Sequence, residues 1–115
     1  MHTVIETDAY LKAAKRAGMD ESQRALVVDL IAANPEAGDM MPGCGGARKL
    51  RVARPGSGKS GGYRIVTYFA GKNVPVFLLT VFPKNVKTNL TDAEQNMFAT
   101  ATKRLVASME KDHGA

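Results

Sequence analysis

Apolar and polar residues first alternate at HTVIE, residues 2–6, which predicts a short strand. Tyr10, Leu11, Ala14 and Ala17 then recur at helical spacing, with Thr7 or Asp8 as N-cap and Gly18 as the stop. A second helix is expected from Asp20, which forms a capping box with Gln23. Leu26, Val27, Leu30 and Ile31 carry its helical spacing as far as Asn34-Pro35. Residues 34–46, NPEAGDMMPGCGG, read as a loop. In ARKLRVA, residues 47–53, Leu50 and Val52 point one way and Lys49 and Arg51 the other. GYRIVTYFA reads as the next strand and GKN at 71–73 as a tight turn. VPVFLLTVF is apolar at nearly every position, so it should be a central strand, with Pro75 near its start where a missing N–H is tolerated. Thr91 with Glu94 signals a last capping box, and Met97, Phe98, Ala101, Leu105 and Met109 trace one stripe of a helix to about Lys111. The order βααβββα predicts an α+β fold: a small antiparallel sheet with two N-terminal helices and one C-terminal helix. At 115 residues the chain has room for a single domain, residues 1–115.

Charge sharpens the picture. The net charge is +5, but every one of the 11 acids lies before Met40 or after Thr91. The acid-free window between them holds nine bases: Arg48, Lys49, Arg51, Arg54, Lys59, Arg64, Lys72, Lys84 and Lys87. A folded domain with so segregated a field attracts a polyanion, and nucleic acid is the expected partner. The longest mostly apolar run, residues 74–83, is too short for a bilayer, and MHTVIETDAY has no basic stretch followed by an apolar one. A cytoplasmic protein without membrane contact is therefore expected. Cys44 stands alone, with His2 and His113 at the two ends of the chain, so it is read as structural and not as a nucleophile.

ARPGSGKS, residues 53–60, fits a relaxed Walker A pattern. A working phosphate loop must open directly into a helix, whose free amides hold the phosphate. Here GGYRIVTYF follows, which is strand-forming. The stretch is read instead as a long hairpin loop, from which Arg54 and Lys59 reach a phosphate backbone without sequence preference.

If residues 47–53 and 62–70 pair as a hairpin, Lys49, Arg51 and Arg64 project from the same face. Arg64 lies among residues that look buried, where an unpaired cation costs several kcal/mol. It should therefore line a wet site or pair internally. Lys84 and Asn85 leave the end of the central strand and can meet that site at its rim.

The element order, the strand GGARKLRVA, the strand GGYRIVTYF and the exit LLTVFPKN together resemble the RelE superfamily of toxins, and most closely the HigB type, over nearly the whole chain. The resemblance implies the RelE-like microbial RNase fold, cleavage of messenger RNA in the ribosomal A site, and a cognate antitoxin. Lys49 and Arg51 match two basic positions of the family's active strand, Arg64 the arginine at the scissile phosphate, and Lys84 the lysine closing the central strand. Two departures stand out. Asn85 occupies the place of a second arginine, and Thr91 aligns near the family's C-terminal tyrosine; no Tyr follows Tyr68.

RNA is cut without metal when its own 2′-hydroxyl attacks the neighbouring phosphate. That requires in-line geometry, a proton acceptor, a proton donor and positive charge on the developing dianion. Arg64 suits the charge, because a guanidinium holds two oxygens. Lys49 is the preferred acceptor, since crowding by Arg51, Arg64 and Lys84 disfavours its protonated form. Lys84 would serve the leaving 5′-oxygen, and Asn85 would position a group by hydrogen bonding. Arg48, Arg54, Lys59, Lys72 and Lys87 would follow the RNA backbone. No cofactor is expected, and with no carboxylate in the basic window no metal site either. The expected partners are ribosome, messenger and a helix-turn-helix antitoxin, with operator DNA bound only through the antitoxin complex. Two other readings stay open: a non-catalytic RNA-binding relative, and a ParE-like inhibitor of DNA gyrase.

Overall fold

The computed structural model describes residues 2–53, 62–71, 73–83 and 92–113, without the side chains of residues 94 and 109–113. Strand β1 (Val4–Glu6) leads into helix α1 (Asp8–Ala17), which starts where the Thr7 hydroxyl accepts from the Tyr10 amide. It stops at Gly18, whose φ of 81° is left-handed. Helix α2 (Glu21–Ala33) begins with the reciprocal Asp20/Gln23 capping box that the sequence predicts.

The sheet is built from β1, β2 (Asp39–Met40), β3 (Ala47–Ala53), β4 (Gly62–Phe69) and β5 (Val76–Pro83), in the spatial order β1-β5-β4-β3-β2. Three pairings are antiparallel, but β1 lies parallel to β5, with Val4 opposite Val76. The sheet is thus mixed, not antiparallel throughout. The α1/α2 hairpin is the crossover that allows a parallel return. β2 lies within the stretch read as loop. As expected, β5 is interior, between β1 and β4.

Each face of the sheet has its own core. Tyr10, Ala13 and Ala14 of α1 and Val27 and Ile31 of α2 pack on Tyr63, Ile65, Val76, Leu78 and Val81. Complete burial of Ile31, Ile65 or Leu78 contributes about 1.5–3 kcal/mol each. On the opposite face Phe98 of helix α3 (Asp92–His113) joins Ala47, Val66, Tyr68, Phe77 and Leu79. Thr102 of α3 is buried and donates to the Ala99 carbonyl at 2.9 Å. The helix comes so close to Gly45 (φ 68°) that a Cβ there would lie 3.0 Å from the Ala99 Cα. The helical stripes are narrower than their spacing suggests. Leu11 and Met97 are exposed, as are Leu26 and Leu30, although Val27 and Ile31 beside them are buried.

One irregularity interrupts β5. Val66 of β4 faces Thr80, but the next residue, Thr67, faces Leu78, which leaves Leu79 as an extra residue in a β-bulge. Leu78 points into the α1/α2 core and Leu79 into the α3 core.

Tyr10 is fully buried, and among the described residues its hydroxyl has no hydrogen-bond partner. Burial, and then the nearby Glu6 carboxylate, push its pKa up to about 12, with Arg24 pulling the other way. An unfolded tyrosine ionises near pH 10. The native state therefore keeps a proton that the unfolded chain has lost, and this stabilisation, complete below about pH 10, disappears as the pH rises towards 12. Tyr10→Phe removes a hydroxyl that satisfies nothing, so urea unfolding at pH 7 should change by less than about 1 kcal/mol. The decline in stability above pH 10 should become shallower than in the wild type.

Candidate nucleic-acid interface

The alternation of β3 decides which face receives its cations. Leu50 and Val52 pack against the α1/α2 core, so Lys49 and Arg51 lie on the α3 side of the sheet. Arg64 stands directly opposite Arg51, and Phe82 of β5 stands opposite Arg64 on its other flank. Lys49 is opposite Val66, one pair further along the same face. Lys49, Arg51 and Arg64 therefore share one face, as the hairpin predicts. The described contacts of α3 with Gly45 and Tyr68 fall at the far end of that face, beside the Ala47–Tyr68 pair.

This arrangement works against folding. Like charges directly across two strands destabilise a sheet. Arg64 is half-buried, and its Nε is buried without a hydrogen-bond partner among the described residues. An unsatisfied buried donor costs about 1–3 kcal/mol, more when charged. An anion with two oxygens would satisfy the guanidinium and offset the repulsion from Arg51.

The acid-free window does not stay acid-free in space. β2 brings Asp39 directly opposite Lys49. Gly38 makes this approach possible: its φ is 95°, and a Cβ there would lie 2.6 Å from the Lys49 carbonyl oxygen. Asp39 went unnoticed because a two-residue strand has no periodicity to read; the left-handed turn ahead of it is signalled only by Gly38. Its register pairing adds a carboxylate opposite the cationic strand.

Arg48 does not share the cationic face. It alternates to the other side, where its Nη1 donates to the Glu36 carbonyl at 3.2 Å and to the Gly38 carbonyl at 3.5 Å. These bonds tie β3 to the turn that precedes β2. The other cations assigned from sequence, Arg54, Lys59, Lys72, Lys84 and Lys87, lie outside the described residues, as does Asn85. So does most of the Walker-like stretch, although the element that follows it is the strand beginning at Gly62, not a helix. Cys44 is completely buried, and burial pushes its thiol up, away from the reactive thiolate.

Fold and face together define a small α+β domain that gathers Lys49, Arg51 and Arg64 on one face of its sheet. Residues 3–113 match the family model described as the RelE toxin of the RelE/RelB toxin–antitoxin system. The chain belongs to this family: it is a toxin of a toxin–antitoxin module, and an antitoxin is its implied partner. Among the described residues no helix is long and apolar enough to cross a membrane.

Two substitutions test the geometry without any substrate. Arg64→Met removes the orphaned donor and the like-charge pair, and it should raise stability by about 1 kcal/mol in urea unfolding. Gly38→Ala should lower stability by about 1–3 kcal/mol, through the strained φ and the contact with Lys49. It should also speed amide exchange at the β2–β3 pairing.

Proposed function

We propose that this toxin is an mRNA endonuclease that cuts messenger in the ribosomal A site and so arrests translation in the cytoplasm. The observation that carries the reading is Arg64, a half-buried cation whose Nε has no hydrogen-bond partner among the described residues, facing Arg51, with Lys49 the next β3 residue on the same face. The fold tolerates this cost where a phosphodiester would relieve it.

In the reaction the 2′-oxygen of one nucleotide bonds to the adjacent phosphorus and the bond to the 5′-oxygen breaks. A proton leaves the 2′-hydroxyl and another reaches the departing 5′-oxygen, giving a 2′,3′-cyclic phosphate and a 5′-hydroxyl. Charge accumulates on the two non-bridging oxygens, and the Arg64 fork is suited to both. Arg51 and Lys49 add charge along the strand. Asp39, the register partner of Lys49, is assigned to accept the proton, and Lys49 to phosphate binding. Lys84 is assigned to the 5′-oxygen and Asn85 to positioning, with Arg54, Lys59, Lys72 and Lys87 following the RNA backbone. A site without a histidine pair does little to bend free RNA into line, so the ribosome must present the messenger in a suitable conformation. The antitoxin, of helix-turn-helix type in this reading, mediates any contact with operator DNA.

The test is cleavage of a defined messenger in a translating extract, with the new ends mapped by primer extension. Arg64→Ala should lower the rate by about 10²–10³-fold while circular dichroism stays unchanged. Asp39→Asn should lower it by about 10²-fold. A loss with Lys49→Ala but none with Asp39→Asn would return the acceptor role to the lysine. Messengers left intact by a wild-type protein that still binds RNA would make it a non-catalytic relative. Intact messengers together with DNA-damage signalling would point to gyrase.

A further inference from the structure

Arg64 has an aromatic neighbour whose place is set by the irregularity in β5. Up to Leu78 that strand alternates regularly, with Val76 and Leu78 in the α1/α2 core and Phe77 on the α3 side. Uninterrupted alternation would send residue 82 to the α1/α2 side as well. The bulge at Leu79 reverses the order, so that Phe82 emerges on the α3 side, paired with Arg64. Bulges recur next to active sites, where they re-aim a side chain. Here the side chain is a phenyl ring, and it joins the face that carries Lys49, Arg51 and Arg64.

Core packing accounts for only part of this ring. Phe82 packs against the α3-side cluster but is half-buried, whereas Phe77 and Phe98 of that cluster are buried. Arg51, Arg64 and Phe82 form one row across β3, β4 and β5. Neighbouring strands lie about 4.8 Å apart, so the ring is one strand from Arg64 and two from Arg51. Cations in such a row hold phosphates but do not distinguish one polyanion from another. A flat ring beside them adds what a nucleobase needs, since bases of every kind stack on aromatic faces. An aliphatic residue would cover the cluster but would offer no such face.

We propose that Phe82 is the base platform of the site: its ring stacks on an unpaired base of the RNA whose phosphate the Arg64 guanidinium holds. The site then grips a single strand through a base and a phosphate together. This deepens the proposed function and rests on Arg64 as its phosphate contact. It holds whichever group accepts the proton.

The test uses the full chain and two labelled probes of equal charge. One is a single-stranded uridine oligomer of about 12 nucleotides, with its 2′-hydroxyls methylated so that they cannot attack. The other is its abasic twin, with the same sugars and phosphates. Affinity is read by fluorescence anisotropy at low salt, where phosphate contacts are strongest. The wild type should bind the uridine probe about tenfold more tightly than the abasic twin. Phe82→Leu keeps an apolar side chain on the α3-side cluster, and it should erase that difference by weakening the uridine probe alone. Phe82→Trp should preserve it. Arg64→Ala should weaken both probes and reduce the dependence on salt. Equal affinity of the wild type for the two probes, or failure to bind either, overturns the proposal. So does an equal loss on both probes with Phe82→Leu, which would make Phe82 a packing residue. Messenger cleavage in a translating extract reports separately on the proposed function. A wild type that distinguishes the probes yet leaves messenger intact keeps the platform and loses the endonuclease. A chain that cuts messenger without distinguishing them does the reverse.

Discussion

The register of β3 on β4 controls everything else in the molecule. Leu50 opposite Ile65 and Val52 opposite Tyr63 fasten the two strands through side chains that the α1/α2 core encloses. Because successive side chains leave a strand on opposite faces, these apolar pairs also fix where Lys49, Arg51 and Arg64 emerge. A slip of one residue would turn the cations of β3 into the core and its leucine and valine out to water, at a cost no small domain could absorb. Apolar packing on one face thus holds together, on the other, charges that would otherwise separate.

Much of this could be read along the chain wherever a pattern repeats over enough residues. Alternation in ARKLRVA gave the strand and the side of each cation, and the Asp20/Gln23 box gave the start of α2. Patterns failed where a segment is too short or too uniformly apolar to show a period. Asp39 and Met40 are only two residues, so neither the strand nor the carboxylate beside Lys49 could be seen. β1 shows its strand character but not its partner, because the parallel match with β5 depends on the crossover path and not on residues 4–6. In α2, Leu26 and Leu30 have the same helical spacing as Val27 and Ile31, and spacing cannot tell which pair meets the sheet. Arg48 illustrates a different limit. Charge count placed it with its neighbours, whereas one step of alternation sends it to the carbonyls of Glu36 and Gly38.

The two cationic regions differ in the physics of their surroundings. Around Arg64 the charge is crowded and partly desolvated, and the Arg64 Nε has no hydrogen-bond partner among the described residues, conditions that favour a compact anionic group. Around Lys12, Arg16 and Arg104, which line a cleft between α1 and α3, the charges are spread along an exposed rim over an apolar floor. The sheet stands between α1 and α3, and the second region opens beside the strand edge that β1 leaves uncovered.

The extra residue in β5 has a consequence for the phase of everything downstream. With regular alternation after Leu78, Val81 would fall on the α3 side and Phe82 would enter the α1/α2 core. The inserted Leu79 reverses that parity, seating Val81 in the α1/α2 core and bringing Phe82 across from Arg64. One residue of strand length therefore acts as a half-period shift between the two ends of β5. Deleting Leu79 would close the bulge and leave Val81 opposite Ile65 and Phe82 opposite Arg64, at the loss of one apolar side chain from the α3 core.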